Sequence, residues 1–318
     1  MERLLITLIL VCTMNNITNA QNPFYGQYHT PHETVPFDRI ETEHYEPAIL
    51  EGIKLQNAEI EAIIQNPEKA DFTNTIEAFE ESGELLDKVV AVFGNMLSAE
   101  TNDDLQELAQ KIMPLLSEHS NNITLNKKLF ARVKEVYNQK ETLQLTQEQK
   151  QLLENAYNSF VRHGANLEGE AREEYRRLTN ELSKLTLTFS ENNLKETNAY
   201  QMLLTKKESL AGLPEIIIEA AAETAKSEEK EGWAFTLHAP SYVPFMTYSD
   251  NRDLRQKLYM AYNTKCTHDN EFNNIDIVKN IANTRMKIAQ LLGYKDYAEY
   301  TLKKRMAENS ESVYKLLN

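Results

Sequence analysis

Four groupings in this chain carry residue types that do chemistry. His29-Thr-Pro-His32-Glu33 offers two imidazoles and a carboxylate, a donor set that holds zinc. Pro31 denies the segment the helical geometry that would aim all three at one point, and no further ligand cluster accompanies them, so a plain loop is the favoured reading. His44-x-Glu46 opens like a zinc deaminase site, but no Pro-Cys-x-x-Cys completes it, and acidic residues at a helix start account for it better. Cys266 and His268 have the types of a thiolate–imidazole pair, yet nearness in sequence is not a dyad and an inert thiol at a helix end is favoured. Arg252 and Arg255 carry the guanidinium fork that suits a peptide carboxylate, with structural pairing to nearby acids the favoured alternative. None of His29, His32, His44, His119, His163, His238 or His268 is followed four residues on by another histidine, the spacing that puts two imidazoles on one helix face in H-E-x-x-H. No catalytic residue and no metal ligand is therefore assigned within this chain.

The elements that would position such groups are mostly helices. Residues 22–37, with three prolines and two histidines, read as an extended arm over the domain. A helix follows from Thr42 to Asn66, then one stripe through Ile76, Phe79, Leu86, Val90, Phe93 and Leu97 with Asn74 as its cap. Asn102 opens a third helix that Pro114 bends or breaks, Leu125–Tyr137 supplies a fourth, and Thr146 with Gln149 forms a capping box ahead of a fifth that Gly164 ends. Ala171, Tyr175, Leu178, Leu182, Leu185 and Phe189 make a heptad-like seam, read as internal packing in preference to a dimer contact. Tyr200–Leu204 and Trp233–His238 alternate as two short strands expected to pair across an intervening helix at Glu215–Lys226. Ser249 or Asp250 is expected to cap a helix carrying Leu254, Leu258 and Tyr262, and Gly293 to end the helix Ile275–Leu292. The fold class is mainly α, multi-helical, with a minor two-stranded β element.

Charge narrows the partners. Thirty-four Lys and Arg stand against 48 Asp and Glu, and a net charge of −14 repels nucleic acid and anionic lipid. Lys303-Lys304-Arg305, the densest basic run, is read as a solvated helix end. Arg3, an apolar run Leu4–Cys12 and Thr18-Asn19-Ala20 have the layout of an export signal cleaved after Ala20, which rules out stable membrane insertion of the mature chain. Lipidation at Cys12 is disfavoured because Val11 stands where a small residue is needed. The mature chain then has one cysteine, Cys266, and closes no internal disulfide, which points to a bacterial periplasm.

The richest stretch, Gly232–Met306, holds the only tryptophan and an ordered series of motifs: Phe235-Thr-Leu, Pro240-Ser-Tyr-Val-Pro-Phe-Met-Thr-Tyr-Ser249, Asn251-Arg-Asp-Leu-Arg255, Leu291-Leu-Gly-Tyr294, Tyr297-Ala-Glu-Tyr300. Upstream stand Asn22-Pro23-Phe24, Pro36-Phe37-Asp-Arg-Ile40, Phe72-Thr-Asn-Thr-Ile76 and Leu210-Ala-Gly-Leu-Pro214. This series resembles the thimet oligopeptidase, oligopeptidase A and peptidyl-dipeptidase family of zinc metallopeptidases, specifically its bacterial peptidyl-dipeptidase branch. The resemblance implies two helical lobes flanking a channel with zinc on its floor, short peptides as substrates, and an H-E-x-x-H helix downstream of Asn318. After the leader at 1–20, it implies an N-terminal helical lobe at 21–238 and the opening of a catalytic domain at 239–318; lacking H-E-x-x-H, this chain, read as a monomer, is expected to be inactive alone. A stand-alone, non-catalytic helical binding module is the alternative; a dimeric scaffold built on the Ala171–Phe189 seam is a third reading.

Overall fold

A computed structural model describes residues 22–318; the expected signal segment, its cleavage point at Ala20 and Cys12 lie outside the described residues. The described chain is helical with a single pairing of two short strands among the described residues. By contacts it divides into two units, the first running to Ser183 and resuming at Met286–Asn318, the second spanning Lys184–Arg285. No described helix is long and apolar enough to cross a membrane.

The first unit begins with the arm, which is tied down rather than merely laid across. Phe24 is buried with its ring tilted against Tyr45, which is tilted in turn against Phe93, at centroid distances of 5.5 and 5.2 Å. Asn22 Nδ2 donates to the carbonyl of His44 at 2.8 Å, and Lys88 Nζ to that of Gly26 at 2.8 Å. Helix α1 (Thr42–Gln65) follows, and then the stripe expected to be one helix is broken. Phe72–Glu77 winds as a π-turn, Ala78–Glu80 adds a short turn, and α2 (Glu84–Ala99) starts afresh beyond Gly83. Asp71, not Asn74, caps the first piece: its carboxylate accepts from Asn74 N at 2.7 Å. Asn74 instead returns a bond to Asp71 N and takes Arg132 Nη2 at 3.0 Å, so a residue with the chemistry of a cap serves as the clasp.

Helix α3 (Asp103–Thr124) keeps the expected Asn102 cap but runs on through Pro114, and α4 (Lys127–Asn138) and α5 (Gln147–Arg162) follow. Thr146 and Gln149 make the expected reciprocal box, and Gly164 takes the left-handed conformation at φ 85°. The apolar faces of α1, α4 and α5 meet around Leu129, Val133, Leu153 and Phe160. Helix α6 (Gly169–Ala199) is longer than its seam suggested. In the first unit Tyr175 and Leu178 pack on Leu125 and Ile288. The neighbouring face of α6 is polar: Asn180 Nδ2 donates to Glu118 Oε2 at 2.9 Å, Ser117 Oγ to Asn180 Oδ1 at 2.8 Å, and Asn121 Nδ2 to Thr179 Oγ1 at 2.9 Å. The Tyr175–Leu182 part of the seam thus packs internally and is half hydrogen-bonded, whereas Phe189 at its end is exposed. Helix α11 (Tyr297–Leu302) is fastened by Arg162, whose Nη2 donates to Tyr300 O at 3.0 Å beneath the Tyr300 ring, and α12 (Ser310–Leu317) leaves Tyr314, Leu316 and Leu317 exposed.

The second unit holds the sheet. Strands β1 (Gln201–Leu204) and β2 (Trp233–Thr236) pair antiparallel, Gln201 opposite Thr236 and Leu204 opposite Trp233, across α7 (Glu215–Ser227), as the alternation predicts. Met202, Leu204 and Phe235 join Leu210, Leu213, Phe245 and Leu258 in one core. Phe245 lies on α8 (Ala239–Tyr248), a helix not among the expected elements; Pro240 falls in its first turn, where no intrahelical donor is lost, whereas Pro244 lies inside it and removes one. Asn251 caps α9 (Arg252–Asn263), its Oδ1 accepting from Leu254 N at 3.1 Å, so the expected Ser249 or Asp250 cap is corrected by one or two residues. Helix α10 (Ile275–Leu291) then ends ahead of left-handed Gly293.

Candidate functional site

The chemistry-bearing residues sort themselves by local surroundings. His32 and Glu33 occupy an exposed turn with φ of 57° and 55°, and His29 is exposed beside it, so the three share no focus. His44 is a capping residue, Nδ1 accepting from Glu41 N at 2.9 Å, and Glu46 pairs with Lys111 at 2.6 Å. Arg255 donates to the carbonyl of Ser249 at the end of α8, and Arg252 makes no ion pair among the described residues. The expected pairing with acids is therefore corrected: the guanidinium of Arg255 satisfies a helix-terminal carbonyl that has no intrahelical partner. Lys303, Lys304 and Arg305 are exposed at the end of α11, as expected of a solvated helix end.

Cys266 and His268 do come together, through a residue that spacing could not name. Glu196 on α6 accepts from the backbone N–H of Cys266 and stands 3.6 Å from His268 Nε2. The thiol is buried, and burial first, then its hydrogen bond to Glu196, pushes its pKa up to about 11. A carboxylate beside a buried sulfur holds the proton on it, the reverse of what a nucleophile needs. Two outcomes are expected. The native thiol resists an aromatic disulfide reagent at about pH 8 and reacts once urea unfolds the chain; rapid native labelling would contradict the assignment. The unfolded thiol ionises near 9 and the folded one near 11, so this contribution to stability is intact below the lower value and is lost as pH rises through the upper, which denaturant titrations of wild type and Cys266→Ser can resolve.

A cleft of about 920 Å3 separates the arm from α1 and α2, lined by Tyr25, Tyr28, Glu51, Lys54, Glu84 and Lys88 among others. Its lysines are committed, Lys54 to Glu51 at 2.8 Å and Lys88 to the arm's carbonyls, and it holds neither histidine nor cysteine. Among the described residues no three His, Cys, Asp or Glu side chains stand close enough to hold a metal ion. Among the described residues the donor set does not fit a zinc centre.

Comparison with known proteins places these arrangements. The model for peptidase family M3 matches residues 245–318. The chain is 35% identical to the dipeptidyl carboxypeptidase of Escherichia coli K12 over 295 residues, covering 92% of this chain and 43% of that protein. It is 30% identical to oligopeptidase A of Salmonella typhimurium over 300 residues, 93% of this chain and 44% of the relative, and 32% identical to oligopeptidase A of Haemophilus influenzae over 287 residues, 89% and 42%. This chain belongs to peptidase family M3. It spans somewhat under half the length of these M3 relatives. The motifs that carry the M3 resemblance are structural here: Phe72, Thr75 and Ile76 are buried, Asn74 clasps Arg132, and Phe235 meets Phe245 edge-on at 4.6 Å. The arginine clasp and the polar face between α3 and α6 escaped the sequence reading, because each joins residues more than 50 positions apart and leaves no local pattern.

Proposed function

We propose that this chain is the helical, non-catalytic part of an exported zinc metallopeptidase that cleaves short peptides, and that the whole enzyme is a peptidyl-dipeptidase releasing C-terminal dipeptides. The observation that carries the reading is similarity along 92% of the chain, at 35% identity, to a protein named dipeptidyl carboxypeptidase, against 30% to an oligopeptidase A. Residues 21–238 form the N-terminal lobe and 239–318 open the catalytic domain, a division supported by the M3 match at 245–318. The two zinc-binding histidines and the water-activating glutamate then belong to sequence outside these 318 residues. Packed helices of this chain contribute a rigid channel wall that admits short unfolded peptides and excludes folded proteins by size. Its acidity argues against nucleic acid as a partner, and the leader at 1–20 supports export to a bacterial periplasm, the mature monomer starting at Gln21.

Reading the coding sequence beyond the Asn318 codon tests the proposal. An uninterrupted frame encoding H-E-x-x-H is the expected result; a stop codon there would favour a stand-alone helical binding module.

A further inference from the structure

The first unit gathers cations that the sequence scatters. Lys127 and Lys128 at the head of α4 meet Arg172 and Arg176 of α6, across from Glu61 of α1, around a cleft of about 410 Å3. In a chain of net charge −14 this is a local reversal of sign. Two of the four charges are satisfied: Lys127 Nζ lies 3.2 Å from Glu168, and Arg176 bonds Glu118 and, at 2.7 Å, Asn122. The other two are not. Arg172 donates through Nη2 to the backbone carbonyl of Leu125, a neutral acceptor, and its Nε is buried without a hydrogen-bond partner. Lys128 is exposed and makes no ion pair among the described residues.

Nor does the start of α4 account for the cluster, because its backbone donors are already taken: Asn126 Oδ1 accepts from the N–H groups of Lys128 at 3.0 Å and Leu129 at 3.1 Å. Four cations line the cleft against one carboxylate, Glu61; Glu118 and Glu168 pair with two of them, and Glu170, Glu173 and Glu174 line the neighbouring cleft on the other side of Arg172. A planar guanidinium beside a movable ammonium is the pair that holds an oxyanion, the first by geometry and the second by charge. We propose that this cleft binds a small oxyanion, a phosphate or carboxylate group, between Arg172 and Lys128. The site stands independently of the peptidase reading.

Isothermal titration of the full chain with inorganic phosphate tests it. Expected is saturable one-to-one binding that weakens with added salt and is at least about tenfold weaker in Lys128→Glu and in Arg172→Gln. Lys303→Glu, at the basic helix end, is expected to keep wild-type affinity. Because Lys128 is exposed, Lys128→Glu leaves the fold intact and carries the test even if Arg172→Gln unfolds. A second arm compares an N-acetyl dipeptide acid with its amide: tighter binding of the acid than of phosphate identifies a carboxylate ligand, and the reverse a phosphate. No saturable binding of either anion, or wild-type affinity in Lys128→Glu, overturns the proposal.

Discussion

Phe160→Ala is expected to destabilise the first unit by about 3–5 kcal/mol, the range for deleting a fully buried aromatic ring. Phe160 is 1% exposed at the centre of the α1, α4 and α5 packing, with ring centroids of Phe79 and Phe130 at 5.4 and 5.7 Å. The loss combines transfer of the ring, the cavity left behind and two aromatic contacts, each contributing about 0.5–1.5 kcal/mol beyond area alone. Neighbours from three helices cannot all relax into the same void, so the upper part of the range applies. Phe37→Ala, at a side chain 50% exposed, is the control and is expected to change stability by no more than about 0.5 kcal/mol. Denaturant titration separates the two; equal effects would contradict the assigned core.

Gly212→Ala is expected to cost at least about 2 kcal/mol and to act on the second unit. Gly212 has φ of +86°, and a Cβ built there would lie 2.3 Å from the carbonyl oxygen of Tyr248 and 2.8 Å from Asp250 Cγ. Tyr248 O is backbone, so relief requires moving the end of α8 away from the loop. That loop is also held by Asp250 N donating to Ala211 O at 2.9 Å, with Leu210 and Leu213 buried on either side. The Leu-Ala-Gly-Leu-Pro motif thus has a physical cause: two leucines anchor the turn, glycine lets a second backbone approach, and Pro214 precedes α7. Gly26→Ala, at a site with nothing within 4 Å of the added carbon, is expected to be close to neutral. A Gly212→Ala variant as stable as Gly26→Ala would show that the two backbones do not meet.

What could be read from residue order was what local chemistry dictates. Asn102, Thr146 with Gln149, Gly164 and Gly293 were legible because a cap acts within three or four residues. The β1–β2 pairing was legible from sequence alternation even across α7; β1 buries Met202 and Leu204 at every second position, whereas β2 buries the adjacent Ala234 and Phe235. Misreadings arose where two signals competed. Residues 239–248 carry two prolines, one of them inside α8, which masks the helix, and the Ile76–Leu97 stripe continues across a break that Gly83 imposes. Asn74 has a cap's chemistry, but Asp71 reaches the donor first.

The candidate site was legible in a different sense. The absence of paired histidines at helical spacing is a local fact and was visible at once. The surroundings of Cys266 were not, because the carboxylate that raises its pKa sits 70 positions away on α6. The basic cleft was hidden for the same reason: Lys303-Lys304-Arg305 is conspicuous as a run, whereas Lys128 and Arg172 meet only through folding.

Under the proposed function this M3 chain supplies packed helices, and hydrolysis is carried out elsewhere in the whole enzyme. The most direct test is to purify the 318-residue chain with zinc in the buffer, measure bound metal by elemental analysis after dialysis, and assay release of C-terminal dipeptides from N-blocked short peptides. No tightly held zinc and no turnover above background are expected, because the donor set among the described residues does not fit a zinc site. One zinc per chain together with chelator-sensitive dipeptide release would contradict the proposed function.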